Sequence, residues 1–331
     1  MEVGLTSTIP VEIILAGGHR PVDLNNILVT DPDAAQLVQQ AETEGYPRNA
    51  CAWVKGIYSI ILRQDIRTVV VVTQGDCSQM QAMMETLAGR NIHFLPFAYP
   101  YDRDRAAMQT QMERLIELCG TDWQSAVAMQ QQLRPLRAKV AQLDELTWRE
   151  GTVTGYENHL YQVSCSDFEG DPHAFEARVD ALLEQVEHRK AGTFRARIGV
   201  LGVPPIFTDL YQYLDELGVL VAYNEMQRQF TMAPSLDCDL LTQYLRYTYP
   251  YDIYLRMEDI QAETATRRLD GLIHYAQSFC FRQIFDHVLR RNLDCPVLTL
   301  EGDRPGPLTA RDKLRLEAFA ETLEARRSVY Q

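Results

Sequence analysis

Four consecutive valines, Val69 to Val72, lie between stretches whose apolar residues recur at helical spacing. A short β-branched run of this kind, with no polar alternation, predicts a strand buried on both faces of a parallel sheet. The same rhythm runs through the first third of the chain. PVEIILAGG reads as a helix closed by Gly17-Gly18, and DAAQLVQQAETEG and CAWVKGIYSIILRQ read as two more. The strand TVVVVT, the helix CSQMQAMMETLAGR, the strand IHFLPFAY and the helix RDRAAMQTQMERLIELCG follow. From about Thr121 to Lys190 the period is almost wholly helical, with few strand signals. After residue 195 strand and helix alternate again: RIGVLGVP, IFTDLYQYLDELG, VLVAYNEM, LLTQYLRY, GLIHYAQ, a helix from Phe281, CPVLTLEGD and a closing helix TARDKLRLEAFAETLEARR.

The pattern predicts an α/β protein with two doubly wound, Rossmann-like parallel-sheet domains and a helical insert: residues 1–120, a connector at 121–194, and residues 195–331. A length of 331 residues suits two domains of ordinary size, and 46% hydrophobic residues suffice for two cores. Sites in such folds gather at the carboxyl ends of the strands and in the crevice between domains.

Charge narrows the partners. A formal net charge of -13 argues against non-specific nucleic-acid binding and against an anionic membrane surface. No apolar run approaches a spanning helix, and the N-terminus lacks the basic start and cleavage site of a signal peptide, so a cytoplasmic location is expected. In a reducing compartment the seven cysteines are expected to be thiols or metal ligands rather than disulfides.

Three of them share a setting. Cys77 follows TVVVVT through the turn QGD and opens a helix, and Cys280 follows GLIHYA through QSF and opens another. Cys51 stands just after Tyr46-Pro47-Arg48-Asn49, with Asn49 as the expected N-cap. Free N–H groups and the positive end of the helix dipole favour thiolate, and suit the sulfurs of an anionic iron-sulfur cluster. A cysteine at such a junction can equally be a packed residue or a single nucleophile. Cys119 and Cys295 occupy apolar positions within elements and read as buried small hydrophobes; Cys165 and Cys238 read as structural. His19, Arg20 and Arg48 are candidates for the mouth of the site, where they would bind a phosphate or another anionic group, against the plainer reading of exposed loop residues. Lys55, one turn after Cys51, reads as a surface lysine more readily than as a counter-charge. His274 reads as a satisfied core histidine, with Gln277 and Ser278 better placed as hydrogen-bond donors.

The order and spacing of TSTIPVEIILAGGHRPVDL, YPRNACAWVKGIYSIIL, TQGDCSQM, RRLDGLIHYAQSFCFRQ and CPVLTLEGDRPGPLTARDKLRLEAF resemble, nearly end to end, the 2-hydroxyacyl-CoA dehydratase D-component family, which includes benzoyl-CoA reductase subunits and double-cubane cluster proteins. The resemblance implies that Cys51, Cys77 and Cys280 hold a 4Fe-4S cluster with one iron left open. It also implies radical (ketyl) dehydration or reduction of an acyl-CoA thioester, after one-electron transfer from an ATP-dependent activator that is itself an iron-sulfur protein. Double-cubane members need further cysteines before the penultimate strand, where this chain reads RYTYPYDIYLRMEDI without any, so a single cubane is expected. Dehydratases of the family are heterodimers of related chains, and this shorter chain is expected as one subunit or as a homodimer. The alternatives are an electron-transfer protein that keeps the fold and cluster without dehydratase activity, and a double-cubane-type reductase of small molecules.

Overall fold

The structure is a computed structural model that describes residues 1–330. Among the described residues, eight strands build two four-stranded parallel sheets. The first contains β1 (Glu2–Leu5), β2 (Arg20–Asp23), β3 (Thr68–Gln74) and β4 (His93–Ala98), in the order β2-β1-β3-β4. The second contains β5 (Ala196–Leu201), β6 (Val219–Asn224), β7 (Gly271–Gln277) and β8 (Val297–Gly302), in the order β6-β5-β7-β8. The two orders are the same, and helices flank both sheets. This is the expected α/β architecture of two Rossmann-like sheets.

Val69 to Val72 are all buried, as their run requires. All seven residues of β7 are buried as well. β1 and β2 were not legible in the sequence: each has only four residues, too few to establish a period. β2 also carries Pro21, which a strand tolerates only at an edge, and β2 is the edge of its sheet. Between the sheets run the helices Trp123–Arg149, Gly155–Ser164 and Pro172–Val186. The second of these begins with a reciprocal capping box between Thr154 and Glu157.

A strand order that reverses direction leaves a crevice where consecutive crossovers leave on opposite faces. Here that point falls between β1 and β3 in one sheet and between β5 and β7 in the other. The carboxyl ends of β1, β3, β5 and β7 all contribute residues to one cavity: Thr6 to Thr8, Asp76 and Cys77, Val203 and Pro204, and Gln277 and Cys280. No helix is long and apolar enough to cross a membrane among the described residues.

Candidate functional site

Cys51, Cys77 and Cys280 all line this cavity, which encloses about 810 Å³ counting its open mouth. Each is the N-cap of a helical segment. Cys51 precedes the helix Ala52–Arg63 and Cys77 the helix Ser78–Thr86. Cys280 precedes a 3-10 turn, Phe281–Phe285, and only beyond it does an α-helix run from Asp286 to Asn292. The expected N-cap at Asn49 is thus displaced by two residues, so that the Cys51 thiol itself stands at the helix start.

Three contacts bind the segments together. The Cys51 N–H donates to Gln79 Oε1 at 2.9 Å, and Gln79 Nε2 donates to the Phe279 carbonyl at 3.1 Å. One amide side chain, two residues beyond Cys77, therefore ties both other cysteine segments to its own. Arg282 Nη2 donates to the Gly75 carbonyl at 2.9 Å, joining the Cys280 turn to the Cys77 turn. Gly75 has φ +97°, and a Cβ there would lie 2.5 Å from Pro250 Cβ, so this turn requires glycine. Phe279 adopts φ 64°, costly for a bulky residue, and leaves its ring exposed.

Burial pushes the Cys51 thiol up to about 12 against the pull of the Trp53 and Val54 N–H groups, and the neighbouring Cys280 and Cys77 add to the rise. Burial raises Cys77 to about 12 too, with the Asp76 carboxylate adding and the Met80 and Gln79 N–H groups opposing. Cys280 is raised by burial and pulled back by the backbone and guanidinium of Arg282. Without a metal these thiols keep their protons, and binding one must release them. In metal-free protein, Cys51 and Cys77 are therefore expected to alkylate with iodoacetamide at pH 8 on the order of 10³-fold more slowly than an unperturbed thiol. Peptide mass spectrometry checks this, and labelling at the rate of glutathione contradicts it.

Arg282 is the group that sequence reasoning missed. It is buried, its guanidinium carbon lies 4.1 Å from the Tyr249 ring centre and 4.9 Å from that of Phe281, and its Nε and Nη1 have no hydrogen-bond partner. Trp53 Nε1, in the cavity wall, has none either. Burial pushes the Asp76 carboxyl up to about 6, with Arg282 drawing it back. An arginine two residues after a candidate ligand was the available signal.

The other expected residues lie elsewhere. His19 is beside the N-terminal amine, 3.3 Å away, and Arg20 is exposed and paired with Glu2, both at the amino-terminal end of the first sheet, opposite the cavity. Arg48 is exposed, and its carbonyl accepts from Lys55 Nζ at 3.1 Å. Lys55 is not a surface lysine: it is 1% exposed, and its ammonium pairs with Glu42 at 2.8 Å. His274 is buried with Nδ1 2.9 Å from Asp286 Oδ1. Gln277 reaches the cavity, but its amide is engaged by Tyr275 and the Asp303 carbonyl. Cys119 and Cys165 are buried away from this group, with the Cys165 thiol donating to the Tyr161 carbonyl.

Among the described residues, no set of three or more His, Cys, Asp or Glu side chains is arranged to hold a single metal ion. A cubane makes a different demand, because each thiolate binds its own iron and the sulfurs stand farther apart than around one ion. Three cysteine thiols around one cavity, a buried guanidinium with two unpaired N–H groups and an unpaired indole N–H suit an anionic sulfur-ligated group. No curated protein matches the chain. The family model for the 2-hydroxyglutaryl-CoA dehydratase D-component matches residues 6–323. With the match covering nearly the whole chain and all three cysteine turns, the chain belongs to the 2-hydroxyglutaryl-CoA dehydratase D-component family.

Proposed function

We propose that the chain dehydrates a 2-hydroxyacyl-CoA thioester at a 4Fe-4S cluster held by Cys51, Cys77 and Cys280, after one-electron activation by an ATP-dependent iron-sulfur activator. The observation that carries this reading is the meeting of three cysteines, from the facing crevices of two sheets, around one cavity. We read residues 1–120 and 195–331 as the two domains, with 121–194 as their connector.

When bound, the cluster supplies a low-potential electron and, with only three thiolates, an iron open to a Lewis-basic oxygen. The protein's own part is placement and charge. The helix-start N–H groups of Trp53, Val54, Gln79 and Met80 face the sulfurs of Cys51 and Cys77 and stabilise negative charge there. Arg282, held between Tyr249 and Phe281, offsets the charge beside Cys280. The apolar walls from Val29, Val54, Met80 and Phe230 exclude water from a radical anion and suit an acyl chain. Cys77 and Cys280 also line a shallow surface pocket with Ser78, Gln79, Phe279 and Phe281, which supports electron entry from that side.

Adding 2-hydroxyglutaryl-CoA to the reduced protein is expected to shift its electron paramagnetic resonance signal. A panel of acyl-CoA thioesters, none of which changes the signal, together with an activator unable to reduce the protein, would sink the dehydratase reading and leave a cluster-carrying electron-transfer protein.

A further inference from the structure

One carboxyl of the cavity wall, Asp23, is joined to a second, Asp167, that lies outside the cavity. Asp23, the last residue of β2, lines the cavity and caps the helix Leu24–Thr30 by accepting from the Asn25 N–H at 2.9 Å. Its own N–H donates to Asp167 Oδ2 at 2.7 Å. Asp167 comes from the turn after the helix Gly155–Ser164, and Asn26 Nδ2 donates to its Oδ1 at 3.4 Å and to Ser166 Oγ at 3.1 Å. Both aspartates are buried, at 4% and 6% exposure.

The pair stands between two spaces. Asp23 and Asn26 line the cysteine cavity, and they also line a separate pocket on the outer side of β2, where Asp167, Ser164, Glu169 and Arg20 lie. Among the described residues, no lysine or arginine pairs with either aspartate. The ionisable groups that face them are Glu169, which is paired with Arg178, together with Cys165 beside Asp167 and Tyr247 beside Asp23. Arg20 in the outer pocket is committed to Glu2. Two buried carboxyls joined through the Asp23 N–H, with no cation beside them, resist double ionisation, so the pair is expected to retain a proton. Burial raises Asp23, and burial together with the Asp23 charge raises Asp167 to about 7.

We propose that Asp23 and Asp167 relay protons from solvent in the outer pocket to the cysteine cavity, with Asp23 protonating the oxygen that leaves the substrate. The assignment rests on the dehydratase reading for its substrate and on the wall geometry for its path. The C–O bond breaks with its electron pair on oxygen, and the Asp23 proton moves to that oxygen to give water. The Asp23 carboxylate regains a proton from Asp167, which takes one from solvent. The proton lost from the neighbouring carbon balances the count, and the single activating electron is recovered.

The test uses the full chain, prepared anaerobically. Infrared difference spectra with ¹³C-labelled aspartate are expected to show a protonated carboxyl band that persists well above about pH 4, where free aspartates ionise, and disappears near neutrality. Asp23→Asn and Asp167→Asn are each expected to remove that band while iron content is kept. Asparagine caps a helix about as well as aspartate, so Asp23→Asn separates the proton from the cap. With 2-hydroxyglutaryl-CoA and titanium(III) citrate as reductant, Asp23→Asn is expected to slow turnover by at least about 10²-fold. Asp167→Asn is expected to be slowed and then rescued by formate buffer, which leaves the wild-type rate unchanged. Ordinary ionisation of both carboxyls near pH 4, or wild-type turnover in both variants, overturns the relay. If wild type shows the band yet does not turn over this thioester, the relay's proton stands and the dehydratase reading falls.

Discussion

Alanine at any one of Cys51, Cys77 or Cys280 is expected to reduce the iron content of anaerobically prepared protein from about four per chain to near zero, and to abolish activity with it. The three positions carry the whole expectation because they share a cavity, while Cys119 and Cys165 are packed in the core and Cys119→Ala and Cys165→Ala should keep the iron. Two thiolates cannot retain a cubane that three hold, so single substitutions are expected to act as fully as the triple variant. Iron counting, with absorbance between the visible and near-ultraviolet, checks the series. Full iron in the triple variant removes the site, and about eight irons per chain in the wild type restores a double cubane. Gln79→Ala provides a graded control: it keeps every thiol but cuts the bonds to the Cys51 N–H and the Phe279 carbonyl. It is expected to weaken iron retention without eliminating it.

Arg256→Met is expected to destabilise the protein by about 3–5 kcal/mol in urea unfolding, because it strands a buried charge. Glu225 and Arg256 are each 1% exposed. They meet in two hydrogen bonds, at 2.6 Å to Oε1 and 2.9 Å to Oε2, and Glu225 Oε2 also accepts from the Gly202 N–H at 3.0 Å. Burial alone would raise the Glu225 carboxyl; the Arg256 guanidinium reverses this and holds it below its ordinary value. The stabilisation is therefore present above the ordinary carboxylate range and lost as pH falls through the lower folded value. Glu225→Gln in the Arg256→Met background is expected to recover part of the loss, since the unpaired charge is gone. A single variant as stable as wild type would show that the pair is not desolvated. The pair braces the carboxyl ends of β5 and β6, because Gly202 follows β5 and Glu225 follows β6, and the Arg256 guanidinium lies over Phe285, five residues after Cys280. Its loss should therefore also reduce iron retention.

The residues that were readable from sequence are those whose neighbours in the chain explain them. The valines of β3 declare a buried strand by composition, and Cys77 and Cys280 declare themselves by following strands through short turns. The less readable features depend on distant partners. Lys55 looks like a surface lysine on its own helix, and only the approach of Glu42 and the Arg48 carbonyl makes its burial tolerable. His19 and Arg20 follow a pair of glycines, a setting that reads as a site mouth, yet β2 begins with Arg20 and places both at the amino end of the sheet. Asp167 lies in a stretch read as a connector, and its relation to Asp23 crosses 144 positions, which no local period reveals. Arg282 lacked a signal beyond its spacing from Cys280, since its importance comes from two rings and one distant carbonyl.

The parallel sheets give the molecule a polarity with a practical side. The carboxyl ends of β1 and β3 reach the cavity, so the amino ends of the first sheet, with Met1 beside His19 and the exposed Glu2–Arg20 pair, form that sheet's far pole. A linker, affinity handle or electrode tether attached at that pole would leave the cysteine face open to a soluble redox partner. Attachment through Phe279, Phe281 or Ile284, exposed beside the third cysteine, would instead cover it. On the proposed function, the molecule can thus be immobilised in two orientations, one expected to admit electrons and one expected to shut them out.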